Sequence, residues 1–419
     1  MFAAAAGIVI AGAGCSSFMA VRGQQDQAAA KASILGTVAV AGEARGPLYV
    51  GLVDRVGEQY RLIDYFVASV PGPWAFAVDP GTYWLAAFED ADGDGRYDDE
   101  PALRIDPGQP IVLGAGERRR DVALTIPTAG RFDRSFGMPD LLVRDADEQR
   151  SASLTALSVA GQVTTLDDPR FSREKASAGM WKYYDFIYEV RPGIYFLEPY
   201  DPAKIPVLFV HGIGGTPLDF SEVIAGLDRS RFQPWVFYYP SGGQLDRVAA
   251  FLGQLTTRLR TQYRIDRLAV VAHSMGGLVS RQFLLEDFER NRDPAVQLYV
   301  TISSPLGGIP SAGAGVRHSP VVVHSWRGLA PGSDFLDGLY YRDIPGRTER
   351  RRLPAHLVYH MMFGYKGESG DGIVPIASQL REEAQQEARS VRGFDEDHTS
   401  ILRSPAAIEH LNRLLGSLR

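Results

Sequence analysis

The chain has 419 residues, 45% of them hydrophobic, and a formal net charge of −6 at pH 7. This length is enough for two or three domains, and the apolar content is that of a globular protein with a sizeable core. The acidic balance, without a basic domain, a zinc pattern or an RNA-binding signature, excludes nucleic acid as an expected partner. The single cysteine, Cys15, excludes an internal disulfide.

The N-terminus has the composition of an export signal. Residues 1–14, MFAAAAGIVIAGAG, are apolar and small, and they are too few to span a bilayer as a helix. The ending AGAGC, followed by SS, resembles a bacterial lipobox, in which the cysteine becomes the first mature residue and carries lipid. The resemblance implies a lipoprotein-type signal over residues 1–15 and lipidation of Cys15. An uncleaved signal with an incidental cysteine is the alternative.

The residue after the cysteine bears on where such a lipoprotein would reside. Ser16 does not match the aspartate that retains lipoproteins in the inner membrane. The resemblance therefore implies an exported protein of the bacterial cell envelope, either an outer-membrane lipoprotein or a periplasmic protein, whose partner is the membrane through its lipid anchor. Residues 16–33 are polar and alanine-rich, which predicts a tether. No pattern indicates the oligomeric state.

Short β-rich runs, punctuated by Gly, Pro and Asp, follow over residues 34–127. Their regular spacing is typical of an antiparallel β-sandwich. The hairpin FAVDPGTYWLAAFED resembles those of carboxypeptidase-regulatory and transthyretin-like sandwich modules, in which a PGTY turn separates two core strands. We therefore expect a small all-β sandwich domain over 34–127, followed by a connecting segment over 128–199.

An acidic loop, DADGDGRYDDE, lies in this module at residues 90–100. Its carboxylates are those of Asp90, Asp92, Asp94, Asp98 and Glu100. Calcium is held by about six to eight oxygens, and acidic groups at every second position can point at one centre. The loop resembles shortened DxDGDG loops rather than an EF-hand, because Pro101 stands at the twelfth position. It predicts a structural calcium ion, and a solvated acidic hairpin tip is the alternative.

From about residue 200, buried strands alternate with amphipathic helices. The apolar runs are IPVLFVHG, QPWVFYYP, RLAVVAHS, VQLYVTISSP and AHLVYHMMFG. Near-continuous apolar strands of this kind predict a mostly parallel sheet with helices on both faces. We therefore expect residues 200–419 to form one α/β domain.

The stretch VVAHSMGGLVSRQFL, residues 270–284, is a strand that ends in a serine and continues as a helix. A tight strand-to-helix turn projects the side chain of Ser274 above the sheet, and Ala272 and Gly276 leave room for it. The N-terminus of the helix offers unpaired N–H groups where an anion can form. The AHSMGG motif is similar to the nucleophile elbow of the α/β-hydrolase superfamily, in its lipase and esterase branch. The resemblance covers roughly residues 200–419 and implies the α/β-hydrolase fold.

In this superfamily an acid and then a histidine follow the nucleophile. The stretch SGDGIVP resembles the acid loop and implies Asp371, and His398 lies in the later polar loop FDEDHTSIL. The resemblance thus implies a catalytic triad of Ser274, Asp371 and His398. Rival acids are Asp334, Asp343, Asp395 and Asp397, and rival histidines are His318, His324, His356, His360 and His410.

The loop FVHGIGG, after the first strand of the domain, resembles the HG motif of lipases. It implies that the backbone N–H of Ile213, together with that of Met275, forms the oxyanion hole. We expect His211, Gly212 and Gly214 around the substrate, with the imidazole in a structural role and the glycines allowing close approach.

Residues 304–350 are too long for a plain connection between strands. Their segment SDFLDGL resembles one of lipases, which implies a cap or lid over the serine, and an ordinary excursion of the chain is the alternative. The resemblance as a whole implies a serine hydrolase that cleaves acyl or lipid esters and needs no cofactor for catalysis. An acyltransferase or amidase with the same triad, and a surface lipoprotein binding module with a secondary hydrolase domain, stay open.

Overall fold

The structure is a computed structural model and describes residues 15–57, 59–106, 108–132, 136–137, 157–291, 295–367 and 369–418. Of the signal predicted over residues 1–15, residues 1–14 lie outside these ranges. Among the described residues, no helix is both long and apolar enough to cross a membrane. The described chain forms two compact units. The C-terminal unit is built on Val159–Gly253 and Ile265–Arg419 and includes the described residues up to Gln24, and the N-terminal unit consists of Gln25–Ser158, as far as it is described, and Gln254–Arg264.

The N-terminal unit is built of short strands. They are β1 (Ala32–Val40), β2 (Leu48–Val56), β3 (Gln59–Ala68), β4 (Gly72–Val78), β5 (Gly81–Glu89), β6 (Arg96–Tyr97), β7 (Ala102–Leu103), β8 (Ile111–Leu113), β9 (Arg118–Ile126) and β10 (Phe136–Gly137). One sheet has the order β4-β1-β9 and another the order β3-β2-β5-β7, with β8 also paired to β5. Alternate residues of both sheets, such as Ile34, Val50 and Trp74, meet in one hydrophobic core.

A small β domain in this place is what the turn spacing predicts, but one strand pair differs from the antiparallel expectation. Strand β1 is antiparallel to β4 and parallel to β9. Parallel neighbours need a long crossover connection, and here the whole second sheet separates β1 from β9 in the chain. The spacing of turns in the sequence indicates the length of each strand, but it does not indicate which strands become neighbours in a sheet.

The segment predicted to be a tether is helical over most of its length. Helix α1 (Cys15–Ala30) occupies the greater part of residues 16–33. Alanine has the highest helix propensity, so an alanine-rich run extends a helix as readily as it forms a linker. The side-chain oxygen of Gln24 accepts the backbone N–H groups of Tyr184 and Asp185, each at 2.8 Å, and so caps a later helix.

The C-terminal unit alternates strands and helices. Its strands are β11 (Val159–Val163), β12 (Gly193–Phe196), β13 (Ile205–Val210), β14 (Phe232–Tyr238), β15 (Leu268–His273), β16 (Val296–Ile302), β17 (Tyr341–Ile344), β18 (Arg347–Arg350), β19 (Val358–Gly364) and β20 (Ser390–Phe394). Its helices are α2 (Arg173–Trp181), α3 (Tyr183–Val190), α4 (Ser221–Ala225), α5 (Leu245–Tyr263), α6 (Met275–Asn291), α7 (Pro310–His318), α8 (His324–Leu329), α9 (Asp334–Gly338), α10 (Ile376–Gln379), α11 (Glu382–Gln385) and α12 (Pro405–Leu415). The second half of α5, residues 254–263, belongs to the N-terminal unit. Short 3₁₀ turns lie at Pro169–Phe171, Pro217–Phe220 and Ser400–Leu402.

Eight strands form the central sheet, in the order β11-β12-β14-β13-β15-β16-β19-β20. The six from β14 to β20 are parallel to one another, and β12 runs antiparallel to β14. Every residue of β13, β14 and β15 is buried, so the middle of the sheet is covered on both faces. The mostly parallel sheet predicted from the apolar runs is confirmed.

The sheet begins earlier in the chain than the predicted domain start at residue 200. Strands β11 and β12 and helices α2 and α3 come from the predicted connecting segment, residues 128–199, as far as that segment is described. Strand β11 forms one edge of the sheet and is half-exposed, with the burial of its five residues falling along its length. An edge strand of this kind has no continuous apolar run by which a sequence pattern could reveal it.

Residues 304–350 carry secondary structure of their own. Helices α7, α8 and α9 come first, and the two-stranded hairpin of β17 and β18 follows. The insertion connects β16 to β19, which are neighbours in the sheet. It therefore leaves the sheet at the carboxyl end of β16, on the side where the strands β13 and β15 also end.

Candidate active site

Ser274 occupies the turn between β15 and α6. Its φ is +54°, a left-handed conformation that is strained for a residue with a side chain. Its backbone N–H donates to the carbonyl of Ile302, with 2.9 Å between N and O. The turn is thus fixed to the neighbouring strand, and the serine side chain stands beyond the end of the sheet.

Glycines make room for this turn. A Cβ at Gly212 would lie 2.7 Å from the Cβ of Ser274, and one at Gly276 would lie 2.3 Å from the carbonyl oxygen of Val210. Both distances are far below van der Waals contact, so no larger residue fits without movement of the backbone. The loop after β13 and the start of α6 can therefore approach each other closely, because each of them carries a glycine where they meet.

The structure brings Ser274, His398 and Asp371 into one hydrogen-bonded chain. His398 Nδ1 is 2.7 Å from Asp371 Oδ2, and His398 Nε2 is 2.9 Å from Ser274 Oγ. Because the carboxylate can only accept, Nδ1 carries the imidazole proton and Nε2 is left as the acceptor of the serine O–H. All three residues are buried, with between 1% and 7% of each exposed.

Asp371 is held as an ionised acceptor. Its Oδ1 accepts the backbone N–H groups of Ile373 at 3.0 Å and Val374 at 2.7 Å. Burial alone would raise the pKa of Asp371, but hydrogen bonds from His398 and from these two backbone groups outweigh it and lower the pKa below its ordinary value. The carboxylate is therefore charged at neutral pH and can orient the imidazole.

Three of the rival acids have partners elsewhere. Asp343 accepts the hydroxyl of Thr348, and Asp395 pairs with Lys366 at 3.3 Å. Asp397 accepts backbone N–H groups from Thr399 and Ser400 in the turn after it. Among the rival histidines, His360 bonds the hydroxyl of Ser390 at 2.6 Å.

A second histidine contacts the triad, and sequence reasoning missed it. His273, the last residue of β15, lies with its Nε2 2.8 Å from the backbone oxygen of His398. The two imidazole rings are 4.7 Å apart between centroids. Burial, followed by the neighbouring His398, lowers the pKa of His273. Its position next to Ser274 is the signal by which the sequence could have marked it.

The predicted oxyanion donors belong to two different segments of the chain. Met275 is the first residue of α6, and N–H groups in the first turn of a helix have no intrahelical partner. Ile213 lies in the loop after β13 and lines the same cavity as Ser274. The next residue, Gly214, has a φ of +62° and donates its N–H to Ser241 Oγ at 2.9 Å.

His211 lies behind this loop. It is 1% exposed and does not line the cavity, whereas Gly212 and Gly214 do, which corrects the prediction that it surrounds the substrate. Its Nδ1 is 2.8 Å from the carbonyl oxygen of Gly212, and its ring stacks on Tyr239 at 4.2 Å. Burial lowers the pKa of His211 to about 4, so this imidazole is neutral and structural.

A cavity of about 640 Å³ opens over Ser274 and His398. Its apolar wall includes residues of the insertion, namely Ile309, Ala312, Trp326 and Leu329. Charged residues line it as well, namely Arg173, Asp219, Glu222 and Arg403, and Arg173 pairs with Asp219 at 2.5 Å. The cavity thus combines an apolar surface with a polar one next to the serine.

The acidic loop of the N-terminal unit brings together part of the predicted calcium set. Carboxylate oxygens of Asp90, Asp92 and Asp94 lie within 4.8 Å of one another. Asp98 and Glu100 do not belong to this group, and Glu100 instead accepts the N–H of Asp98 at 2.7 Å. The first carboxylate of the loop, that of Asp90, also accepts hydrogen bonds from the backbone of the loop itself.

That carboxylate, of Asp90, accepts the backbone N–H groups of Gly93, Asp94 and Gly95. Burial raises the pKa of Asp90 to about 6, against the lowering effect of these hydrogen bonds. The calcium interpretation stays a prediction from the sequence.

A comparison with known protein families agrees with the fold of the C-terminal unit. The sequence profile of the alpha/beta hydrolase fold family matches residues 205–315. No curated protein sequence matches the chain. Similar solved structures include the lin2722 gene product of Listeria innocua, at 18% identity over 52% of this chain and 95% of that chain, with a TM-score of 0.40.

Two lipases have comparable similarity. The mature form of Bacillus licheniformis lipase BlEst2 is 18% identical over 53% of this chain and 97% of that chain, with a TM-score of 0.42. Aspergillus fumigatus lipase B is 17% identical over 53% of this chain and 56% of that chain, with a TM-score of 0.40. From the profile match, the order of the parallel strands and the turn between β15 and α6, the C-terminal unit has the α/β-hydrolase fold.

Proposed function

We propose that the protein is a serine hydrolase that cleaves carboxylic esters with an apolar acyl group. The observation that carries the proposal is the chain of hydrogen bonds from Asp371 through His398 to Ser274, which ends on a cavity with an apolar wall. A serine hydroxyl is a weak nucleophile without a base, and the base needs an orienting acid. Ser274, His398 and Asp371 are the proposed nucleophile, base and acid, and the hydrogen bonds that join them support these roles.

In the first half of the reaction, Ser274 Oγ attacks the ester carbonyl carbon and His398 Nε2 takes the hydroxyl proton. The carbonyl oxygen becomes an anion, and the N–H groups of Met275 and Ile213 are the proposed donors to it. The bond from carbon to the alcohol oxygen then breaks, and the imidazolium of His398 returns its proton to that oxygen. The alcohol leaves and the acyl group stays on Ser274.

In the second half, water takes the place of the alcohol. His398 removes a proton from the water as it attacks the acyl carbon, and the same donors hold the second oxyanion. The bond to Ser274 Oγ breaks, the proton returns to the serine, and a carboxylic acid leaves. If another alcohol takes the place of water, the same residues perform acyl transfer, which is the alternative activity.

The apolar wall favours an ester whose acid part is an apolar acyl chain rather than a polar group. Burial of apolar surface contributes about 0.8 kcal/mol for each methylene group. Ile309, Ala312, Trp326 and Leu329 offer such surface beside the serine. We therefore expect the rate to rise with acyl length until the chain outgrows the cavity.

The test compares the wild-type protein with Ser274→Ala on p-nitrophenyl esters from acetate to palmitate. The proposal is supported if the wild type cleaves these esters and Ser274→Ala cleaves none of them at any acyl length. Trp326→Ala should instead remain active and change the preferred acyl length. A wild-type protein that cleaves none of the esters would argue against ester hydrolysis. Adding glycerol or a long-chain alcohol and measuring new ester separates acyl transfer from hydrolysis.

We further propose, from the sequence alone, that Cys15 carries lipid and holds the protein at a bacterial membrane. Two or more acyl chains anchor a protein stably, whereas one chain binds only marginally. Mass spectrometry of the N-terminal peptide of the mature protein, with Cys15→Ser as the control, tests this. Peptide that begins upstream of Cys15 without a lipid mass would contradict it.

A further inference from the structure

We propose that His273 is a positioning residue that keeps the loop of His398 in register with the nucleophile. This inference rests on the proposed function, since it concerns the base of the same triad. His273 is the residue immediately before Ser274, and its imidazole bonds the backbone of a residue 125 positions later in the chain. One side chain thus connects the strand that presents the nucleophile to the loop that presents the base.

The contact has a defined direction. The backbone oxygen of His398 can only accept, so His273 Nε2 must carry the proton in the hydrogen bond of 2.8 Å. A neutral imidazole then has no proton on Nδ1. Burial of His273, of which 5% is exposed, favours this neutral form.

His398 is held at both of its backbone polar groups. Its N–H donates to the carbonyl of Asp371 at 2.9 Å, and its own carbonyl accepts from His273. These two bonds fix the peptide groups before and after its Cα, and therefore the direction in which its side chain leaves the backbone. The ring nitrogens can then reach Asp371 and Ser274 together.

The geometry requires a donor at this position and not merely a side chain that fills space. An aliphatic residue would pack against His398 but would leave a buried carbonyl without its donor, which is unfavourable. The loop would relieve this cost by turning the carbonyl towards water. The same rotation would carry Nε2 away from Ser274 Oγ.

The test uses two substitutions in the full chain. His273→Leu removes the donor, whereas His273→Gln keeps an N–H at a similar distance from the backbone. A matched control is His360→Leu, because His360 is similarly buried, at 7% exposed, and bonds Ser390 rather than the triad.

The readouts are kcat and KM for p-nitrophenyl butyrate, the rate of labelling by a fluorophosphonate, and the melting temperature. A misplaced base costs about 100-fold in rate, so His273→Leu should lower kcat and the labelling rate by this order with little change in KM. His273→Gln should recover most of both. His360→Leu should lower the melting temperature without a comparable loss of kcat.

Three outcomes would overturn the inference. In one, His273→Leu has wild-type kcat. In another, His273→Leu and His360→Leu lose the same activity in proportion to their loss of stability. In the third, His273→Gln is as impaired as His273→Leu although it folds. Each differs from failure of the proposed function, in which the wild type itself neither cleaves the ester nor takes the label at Ser274.

Discussion

Gln379 and Gly364 exchange two hydrogen bonds in the interior of the C-terminal unit. The side-chain oxygen of Gln379 accepts the N–H of Gly364 at 3.2 Å, and its amide nitrogen donates to the carbonyl of Gly364 at 3.0 Å. The same nitrogen donates to the carbonyl of Val374 at 3.1 Å. Since Gly364 ends β19 and Val374 closes the loop of Asp371, Gln379 fixes the segment that carries the acid.

Replacement of Gln379 by leucine should therefore impair both stability and activity. The side chain is 2% exposed, so its backbone partners would be left without a donor or an acceptor. Loss of such buried hydrogen bonds costs about 1–3 kcal/mol. We expect the midpoint of urea unfolding to fall and kcat to fall with it. Unchanged unfolding and kcat would show that the loop holds Asp371 without this residue.

Asp371→Asn should abolish most of the activity while the protein stays folded. An amide in place of the carboxylate favours the wrong tautomer of His398, and the corresponding change in a known triad lowers kcat by about 10⁴. Asp395→Asn is the matched control, since Asp395 lies near His398 in the chain but pairs with Lys366. Equal activity of the two variants would show that Asp371 is not the acid.

The same carboxylate should make stability depend on pH. The pKa of Asp371 is lower in the folded protein than its ordinary value, so the folded state keeps the carboxylate ionised where the unfolded chain already binds a proton. Its contribution is present above about pH 4, the ordinary value, and is lost as the pH falls through the folded pKa. Urea unfolding midpoints across this range should fall more steeply for wild type than for Asp371→Asn, and parallel curves would contradict this.

Gly212→Ala should inactivate the protein. The added Cβ would lie 2.7 Å from the Cβ of Ser274, so either the loop after β13 or the serine must move. We expect a loss of about 100-fold in kcat, as for a reacting group displaced by an ångström. Gly338→Ala is the control, because a Cβ at Gly338 meets no atom within 4 Å. Wild-type activity of Gly212→Ala would show that the loop stands further from the serine.

Calcium should stabilise the N-terminal unit if the acidic loop holds it. The three carboxylates of Asp90, Asp92 and Asp94 would provide charged oxygen ligands. We expect a higher melting temperature in calcium than in a chelator, and no such difference in Asp92→Asn. A melting temperature that calcium leaves unchanged in the wild type would show that the loop is held by its own hydrogen bonds alone.

Local patterns predicted the parts of the fold where burial is complete. Strands β13 and β15 are continuous apolar runs because the sheet is covered on both faces there. Strand β20, SVRGF, was not predicted because it forms the opposite edge of the sheet, where most residues are partly exposed. The parallel pairing of β1 with β9 was not predicted for another reason, because it joins two strands that are far apart in the chain.

The candidate site likewise contains residues that the sequence predicts and residues that it does not. Ser274, Asp371 and His398 were predicted from motifs whose residue types the chemistry restricts, and the structure places them within hydrogen-bonding distance. Supporting residues such as His273 and Gln379 bond the backbone of other residues, and a sequence motif does not state such a contact. Only the folded geometry reveals which carbonyl or N–H group each one bonds.

Trapping the covalent intermediate identifies directly the residue that attacks the ester. Wild-type protein would be mixed with p-nitrophenyl butyrate, quenched in acid, digested and analysed by mass spectrometry. We expect a butyryl group on Ser274 in the wild type and none in Ser274→Ala, with Asp371→Asn forming the adduct slowly. A butyryl group on another residue, or ester cleavage that persists in Ser274→Ala, would contradict this.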